Sequence, residues 1–167
     1  MQSRLTKTTI LLAGLIFLLA GCVRYVDTGS SPITFDNRIQ LNSWGRSISD
    51  SGDGFDVRIQ WTFVNEYDPD AISRLIVYSD DLSVVYEIEI ITDAPESGLS
   101  IVVDYPVYAP DGGWDTGDYI VEIGWYADDA RTENLVVTDG GTADISIVLF
   151  RFAINERGNI VLEQINQ

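Results

Sequence analysis

The stretch "DTGDYIVEIGWYADD", Asp115 to Asp129, decides the fold of this chain. It opens in a turn. Gly117 tolerates positive φ, and the side chains of Asp115 and Asp118 can bond to nearby backbone, which is why turns use these residues. It then settles into period two. Tyr119, Val121, Ile123 and Trp125 share one face, with Glu122 and Gly124 on the other, the alternation of a half-buried strand. It stops at a second turn, "YADDART".

The same pattern repeats on both sides. Val57, Ile59, Trp61 and Phe63 alternate with Arg58, Gln60 and Thr62. Tyr86, Ile88 and Ile90 alternate with Glu87 and Glu89, and Ile101, Val103 and Tyr105 with Val102 and Asp104. Turn-forming stretches separate the runs: "SDSGDGFD" (49–56), "NEYDPDA" (65–71), "SDDLS" (79–83), "DAPESG" (93–98), "TDGGTAD" (138–144) and "NERGN" (155–159). No window longer than one turn supports an amphipathic helix. The pattern predicts strands near 34–41, 55–64, 73–79, 84–91, 99–105, 118–127, 133–138, 143–153 and 159–165, the last two forming a hairpin. Short strands punctuated about every ten residues mark an all-β sandwich or barrel.

"DTGDYIV" narrows the class. Its form, Asp-x-Gly-x-Tyr-x-Val, resembles the segment leading into strand F of immunoglobulin-like domains, where the Tyr forms a tyrosine corner. The resemblance implies an antiparallel β-sandwich of about eight to nine strands over residues 33–167. It also implies that Tyr119 buries its ring and returns its hydroxyl to backbone upstream. "LIVYSDDLSVVYEIEI", Leu75 to Ile90, is similar to a hairpin of bacterial Ig-like and macroglobulin-like modules. Two departures stand out. Val121 occupies the place of the antibody-type Cys, and no Trp lies in 72–79, where strand C would carry its core Trp. With one Cys in the chain, no disulfide can join the sheets, so apolar packing must.

That Cys has another use. Arg4 and Lys7 precede an unbroken run of apolar residues and one Gly, Ile10 to Ala20. The run is shorter than the ~20 residues a spanning helix needs but suits a signal peptide. It ends in Leu19-Ala20-Gly21-Cys22, which resembles the bacterial lipobox. The resemblance implies a signal peptide over 1–21, export, cleavage before Cys22, a thioether-linked diacylglycerol on its sulfur and an acyl chain such as palmitate on the new N-terminus. Val23, not Asp, follows the Cys. By the sorting rule of enteric bacteria this favours the outer membrane; a cell with a single membrane would hold the protein on its outer face. "VRYVDTGSSP", within 22–32, is expected to be a flexible tether reaching roughly 17 Å.

Composition removes several function classes. The chain carries 26 Asp and Glu against 10 Lys and Arg, for a net charge of −16. Lys7 is its only Lys. Nucleic acid is not expected as a partner, because phosphate binding needs clustered positive charge. The acidity fits a saline habitat or the solubility of an exported protein. There is no His, so a Ser-His-Asp or Cys-His centre cannot form, and a zinc site would have carboxylates alone.

The remaining candidates are loop residues. "DSGDGFD" places Asp50, Asp53 and Asp56 among glycines, a set that could hold calcium, although Asp and Gly also simply make turns. Trp44, Trp114 and Tyr108 occupy expected loop or strand-end positions and would suit a sugar or protein partner. Tyr67 and Tyr126 are expected in loops or facing outward, and Trp61 and Trp125 in the core. No residue is marked as catalytic. The sequence therefore predicts a non-enzymatic, lipid-anchored envelope protein that binds or assembles through sandwich loops, with an envelope protein or a polysaccharide as partner. A carbohydrate-binding module, a calcium-dependent adhesion module and a carboxylate-based glycoside hydrolase remain the alternatives.

Overall fold

The computed structural model describes residues 24–27, 33–65, 72–92, 97–126, 134–137 and 145–163. Among them are ten strands and no helix: β1 (Arg24–Asp27), β2 (Ile33–Phe35), β3 (Ile39–Ile48), β4 (Phe55–Phe63), β5 (Ile72–Ser79), β6 (Val84–Ile91), β7 (Ser100–Val107), β8 (Gly117–Tyr126), β9 (Ser146–Ile154) and β10 (Ile160–Leu162). One sheet runs β1-β3-β4-β7, with β2 also on β3; the other runs β10-β9-β8-β5-β6. Every pairing is antiparallel. β3, β4 and β7 take the places of strands A, B and E, and β5, β6, β8 and β9 those of C, C′, F and G. This is the order of an immunoglobulin-like sandwich without a D strand among the described residues.

The period-two pattern has its expected consequence. Along β4, Phe55, Val57, Ile59, Trp61 and Phe63 are all buried, while the residues between them face outward. β8 buries Tyr119, Val121, Ile123 and Trp125 against them. In place of an inter-sheet disulfide, Trp61 and Trp125 meet edge to face, ring centroids 5.2 Å apart. A second aromatic series crosses the core beside them. Trp44 stacks on Phe150 at 5.4 Å, Phe55 sits edge-on to Phe150 and Phe152, and Phe152 stacks on Tyr119 at 4.9 Å.

Three sequence expectations are corrected. The strand expected over 34–41 is broken: Asp36 (φ 47) and Asn37 (φ 54) turn the chain, and Arg38 N–H closes the turn on the Phe35 carbonyl at 2.9 Å. Both residues tolerate the left-handed region better than most, and β3 then runs on to Ile48. The strand expected over 133–138 is, for 134–137, a crossing segment. It bridges Phe35 of one sheet through Val137 and Tyr126 of the other through Asn134, and buries Leu135 and Val137. The tether also changes character. Residues 24–27 form β1, in register Arg24↔Arg46 to Asp27↔Ser43 on β3. The edge of β3 offers unpaired backbone groups, and pairing satisfies them.

Candidate binding end of the sandwich

At one end of the sandwich the 49–54 turn meets the 108–116 loop. Gly54 is pressed against β7: a Cβ there would lie 2.2 Å from the Val107 carbonyl oxygen, so no side chain fits. The turn is closed by Ser49 N–H on the Gly54 carbonyl, 2.9 Å, and Gly52 N–H on that of Ser49, 2.9 Å. The Ser51 and Ser49 hydroxyls both donate to the Asp53 carboxylate. These bonds, that of Ser51 foremost, hold Asp53 below the ordinary carboxylate range.

The loop is locked onto this turn. The Trp114 indole N–H donates to the Asp53 carbonyl at 2.9 Å, and its ring lies edge-on to Tyr119 and Phe152, at 5.3 and 5.4 Å. The Tyr119 hydroxyl donates to the Asp115 carbonyl at 2.7 Å. Tyr119 is buried, and desolvation pushes its phenol up. The strand-F tyrosine corner is therefore present. Gly117 precedes it at φ 157, a value L side chains rarely adopt.

The candidate residues separate under this geometry. Asp53 and Trp114 are brought together. Asp50 is exposed at the turn, and Asp56 points outward from β4 between buried Phe55 and Val57. The three carboxylates do not converge, because Asp53 folds back onto serines while Asp56 follows the strand alternation. Among the described residues no three Asp, Glu, His or Cys gather to hold a metal ion. Trp44 is corrected: it lies within β3, 6% exposed, stacked on Phe150, and offers no surface to a ligand. β3 runs on past the expected strand end, and a bulge between Leu41 and Ser43 shifts its phase, which turns Trp44 inward. Tyr108 is 56% exposed. Tyr126, expected outward, lies on the outer face of β8 yet is buried beneath the Arg74 guanidinium, 4.5 Å from its ring centroid. Cys22 and Tyr67 lie outside the described residues.

The outer face of the β3-β4-β7 sheet is polar. Asn42 donates to Thr62 at 2.6 Å, Ser43 to Gln60 at 3.2 Å, and Thr62 and Ser100 share a hydroxyl bond of 2.5 Å. Beyond them Ser47, Asp56, Arg58 and Asp104 line a hollow of about 250 Å³. Arg58 grips Asp104 with two bonds, 2.6 and 2.9 Å, and holds its carboxyl below the usual range. Acid catalysis of glycoside cleavage needs a carboxyl kept protonated, and this pairing keeps Asp104 ionised.

Sequence reasoning missed a buried polar chain. The Trp61 indole N–H donates to the Tyr105 hydroxyl at 3.3 Å, Tyr105 donates to Ser73 at 2.7 Å, and Ser73 donates to the Ile90 carbonyl at 3.2 Å. It links β4 and β7 of one sheet to β5 and β6 of the other. Its signal was available: Ser73 is in phase with inward Leu75 and Val77, and Tyr105 with Ile101 and Val103. No protein-family model matches this chain, and no curated protein matches it. Its function must be argued from its own residues.

Proposed function

We propose that this is an exported, lipid-anchored protein of the cell envelope, held by acylated Cys22, whose Ig-like sandwich binds or assembles with other envelope components and does no chemistry. The observation that carries the reading is Leu19-Ala20-Gly21-Cys22 behind an apolar run and directly ahead of the sandwich. Two features of the domain agree with it. The carboxylates perturbed from their ordinary range, Asp53, Asp81 and Asp104, are held ionised by hydroxyl, backbone and guanidinium donors. The hydrogen-bonding side chains of the outer sheet lie on an open face, where a partner can reach them. The test is metabolic labelling with an alkyne fatty acid, followed by detergent partitioning. The native chain takes the label and partitions into detergent; Cys22→Ala does neither. Label on the Cys22→Ala chain would refute the anchor.

A second reading, a carbohydrate-binding module, draws on the outer face of β3, β4 and β7. Gln40, Asn42, Gln60, Thr62 and Ser100 present amides and hydroxyls there, groups that match sugar hydroxyls. Trp44 and Trp114 form no aromatic platform for it: Trp44 is in the core and Trp114 packs edge-on against Tyr119 and Phe152. Co-sedimentation with insoluble cell-wall polysaccharide, lost on Gln60→Ala, would favour this reading over a protein partner.

A further inference from the structure

β1 has a consequence for how the domain sits. Its first residue, Arg24, pairs with Arg46, two residues before the end of β3. β1 is antiparallel to β3, so its N-terminal side faces the end that carries the 49–54 turn. Cys22 precedes Arg24 by two residues, and two residues span at most about 7 Å. An anchor on Cys22 is therefore confined near this end. The opposite end, at Asn65 and Ser97, is a nine-residue strand away, or roughly 30 Å.

Both ends expose apolar side chains, among them Val64, Ile91 and Leu99 at the far end, and the confined end has three of its own. Ile48 is 45%, Leu82 69% and Tyr108 56% exposed. Leu82 is the unusual one. It sits at the tip of the β5–β6 turn with φ 64, a left-handed conformation that favours Gly or Asn and is strained for Leu. The turn is closed by Leu82 N–H on the Ser79 carbonyl at 2.9 Å. The fold thus holds a large apolar side chain out at a position where neither packing nor backbone geometry calls for one. Asp50, Asp53, Asp80, Asp81 and Asp111 share this end and disfavour anionic headgroups, so the short leash from Arg24, not charge or apolar exposure, selects it.

We propose that pairing of β1 with β3 seats this end, with Ile48, Leu82 and Tyr108, on the headgroup layer of the membrane that holds Cys22, and turns the Asn65 and Ser97 end outward to meet partners. This rests on the lipid-anchor reading. The test uses the full acylated protein in phosphatidylcholine vesicles containing a spin-labelled quencher lipid, with one added cysteine, Leu82→Cys, Ser51→Cys or Ser97→Cys, carrying a fluorophore. Labels at 82 and 51 are expected to be strongly quenched, and that at 97 to remain bright. Inserting eight Gly and Ser residues between Val23 and Arg24 should abolish the quenching at 51 and 82 while leaving acylation intact. Acylated protein with equal quenching at both ends, or quenching that survives the insertion, would overturn the seating and leave the anchor standing. Protein without acyl chains would overturn both.

Discussion

Tyr119 and Tyr105 show what single hydroxyls do in this core. Tyr119 is buried and bonded to the Asp115 carbonyl at 2.7 Å. Tyr119→Phe keeps the ring and leaves that carbonyl without its donor, so urea unfolding should show a loss of about 1–3 kcal/mol. An unchanged midpoint would make the corner ornamental. Tyr105 is wholly buried, and desolvation pushes its phenol well above the ordinary value of 10.0. Below pH 10 it is neutral in both folded and unfolded chains and its full contribution is present. Above pH 10 the unfolded chain ionises first, so stability must fall as pH rises. Tyr78, Tyr86 and Tyr119 are shifted in the same direction, each by burial foremost. The domain should therefore lose stability from about pH 10 upward. Tyr105→Phe, though less stable at neutral pH, should lose less over that range, measured by urea midpoints at pH 8, 10 and 11.

At the scale of elements, the turn between β3 and β4 is bound to the β7–β8 loop by one close approach and one hydrogen bond. Gly54 allows the approach, and Trp114 to the Asp53 carbonyl supplies the bond. Gly54→Ala puts a methyl group into the Val107 carbonyl, where backbone must move. Thermal unfolding should show a loss of about 1–3 kcal/mol, as overpacking of a tight site does. Gly52→Ala is the contrast: nothing lies within 4 Å of its added Cβ, and only its φ of 77 opposes the change. A smaller loss at Gly54 than at Gly52 would show that the loops are not docked as described. The edges are handled by composition. Edge strand β6 carries Glu87 and Glu89 outward, and edge strand β7 carries Asp104 and Pro106. Charge and Pro at an edge discourage pairing with a second chain.

The whole molecule combines a tight aromatic core with a net charge of −16. Like charges crowd when the chain compacts, and salt screens them: the Debye length falls from about 10 Å at 0.1 M to about 3 Å at 1 M. Melting temperature should rise steadily with NaCl. Calcium and magnesium at equal ionic strength should act alike, because Asp50, Asp53 and Asp56 do not converge. A calcium-specific rise that disappears in Asp53→Ala would show that they do converge around an ion. Held at the membrane, such a surface gains nothing from anionic lipid, which leaves retention to the acyl chains of the proposed anchor.

Much of this architecture was legible in the chain. Period-two alternation gave all-β, because a strand between core and solvent sorts side chains by parity whatever its neighbours are. "DTGDY" identified strand F, because a tyrosine corner is closed within five residues and its geometry is local. The lone Cys excluded an inter-sheet disulfide and left the sheets to aromatic packing. What stayed hidden depends on distant partners. Trp44 is core because a bulge between Leu41 and Ser43 shifts the phase of its strand, and because Phe150, over a hundred residues later, stacks on it. Asp53 folds onto serines while Asp56 points away, since the strand phase that begins at Phe55 divides a cluster that looks continuous in sequence. β1 reads as polar linker, for a short edge strand takes its stability from the backbone it pairs with, and its own side chains do not announce it. Local periodicity is written in the chain; register, long-range pairing and the end of the sandwich from which the chain emerges are settled only when the two sheets close on each other.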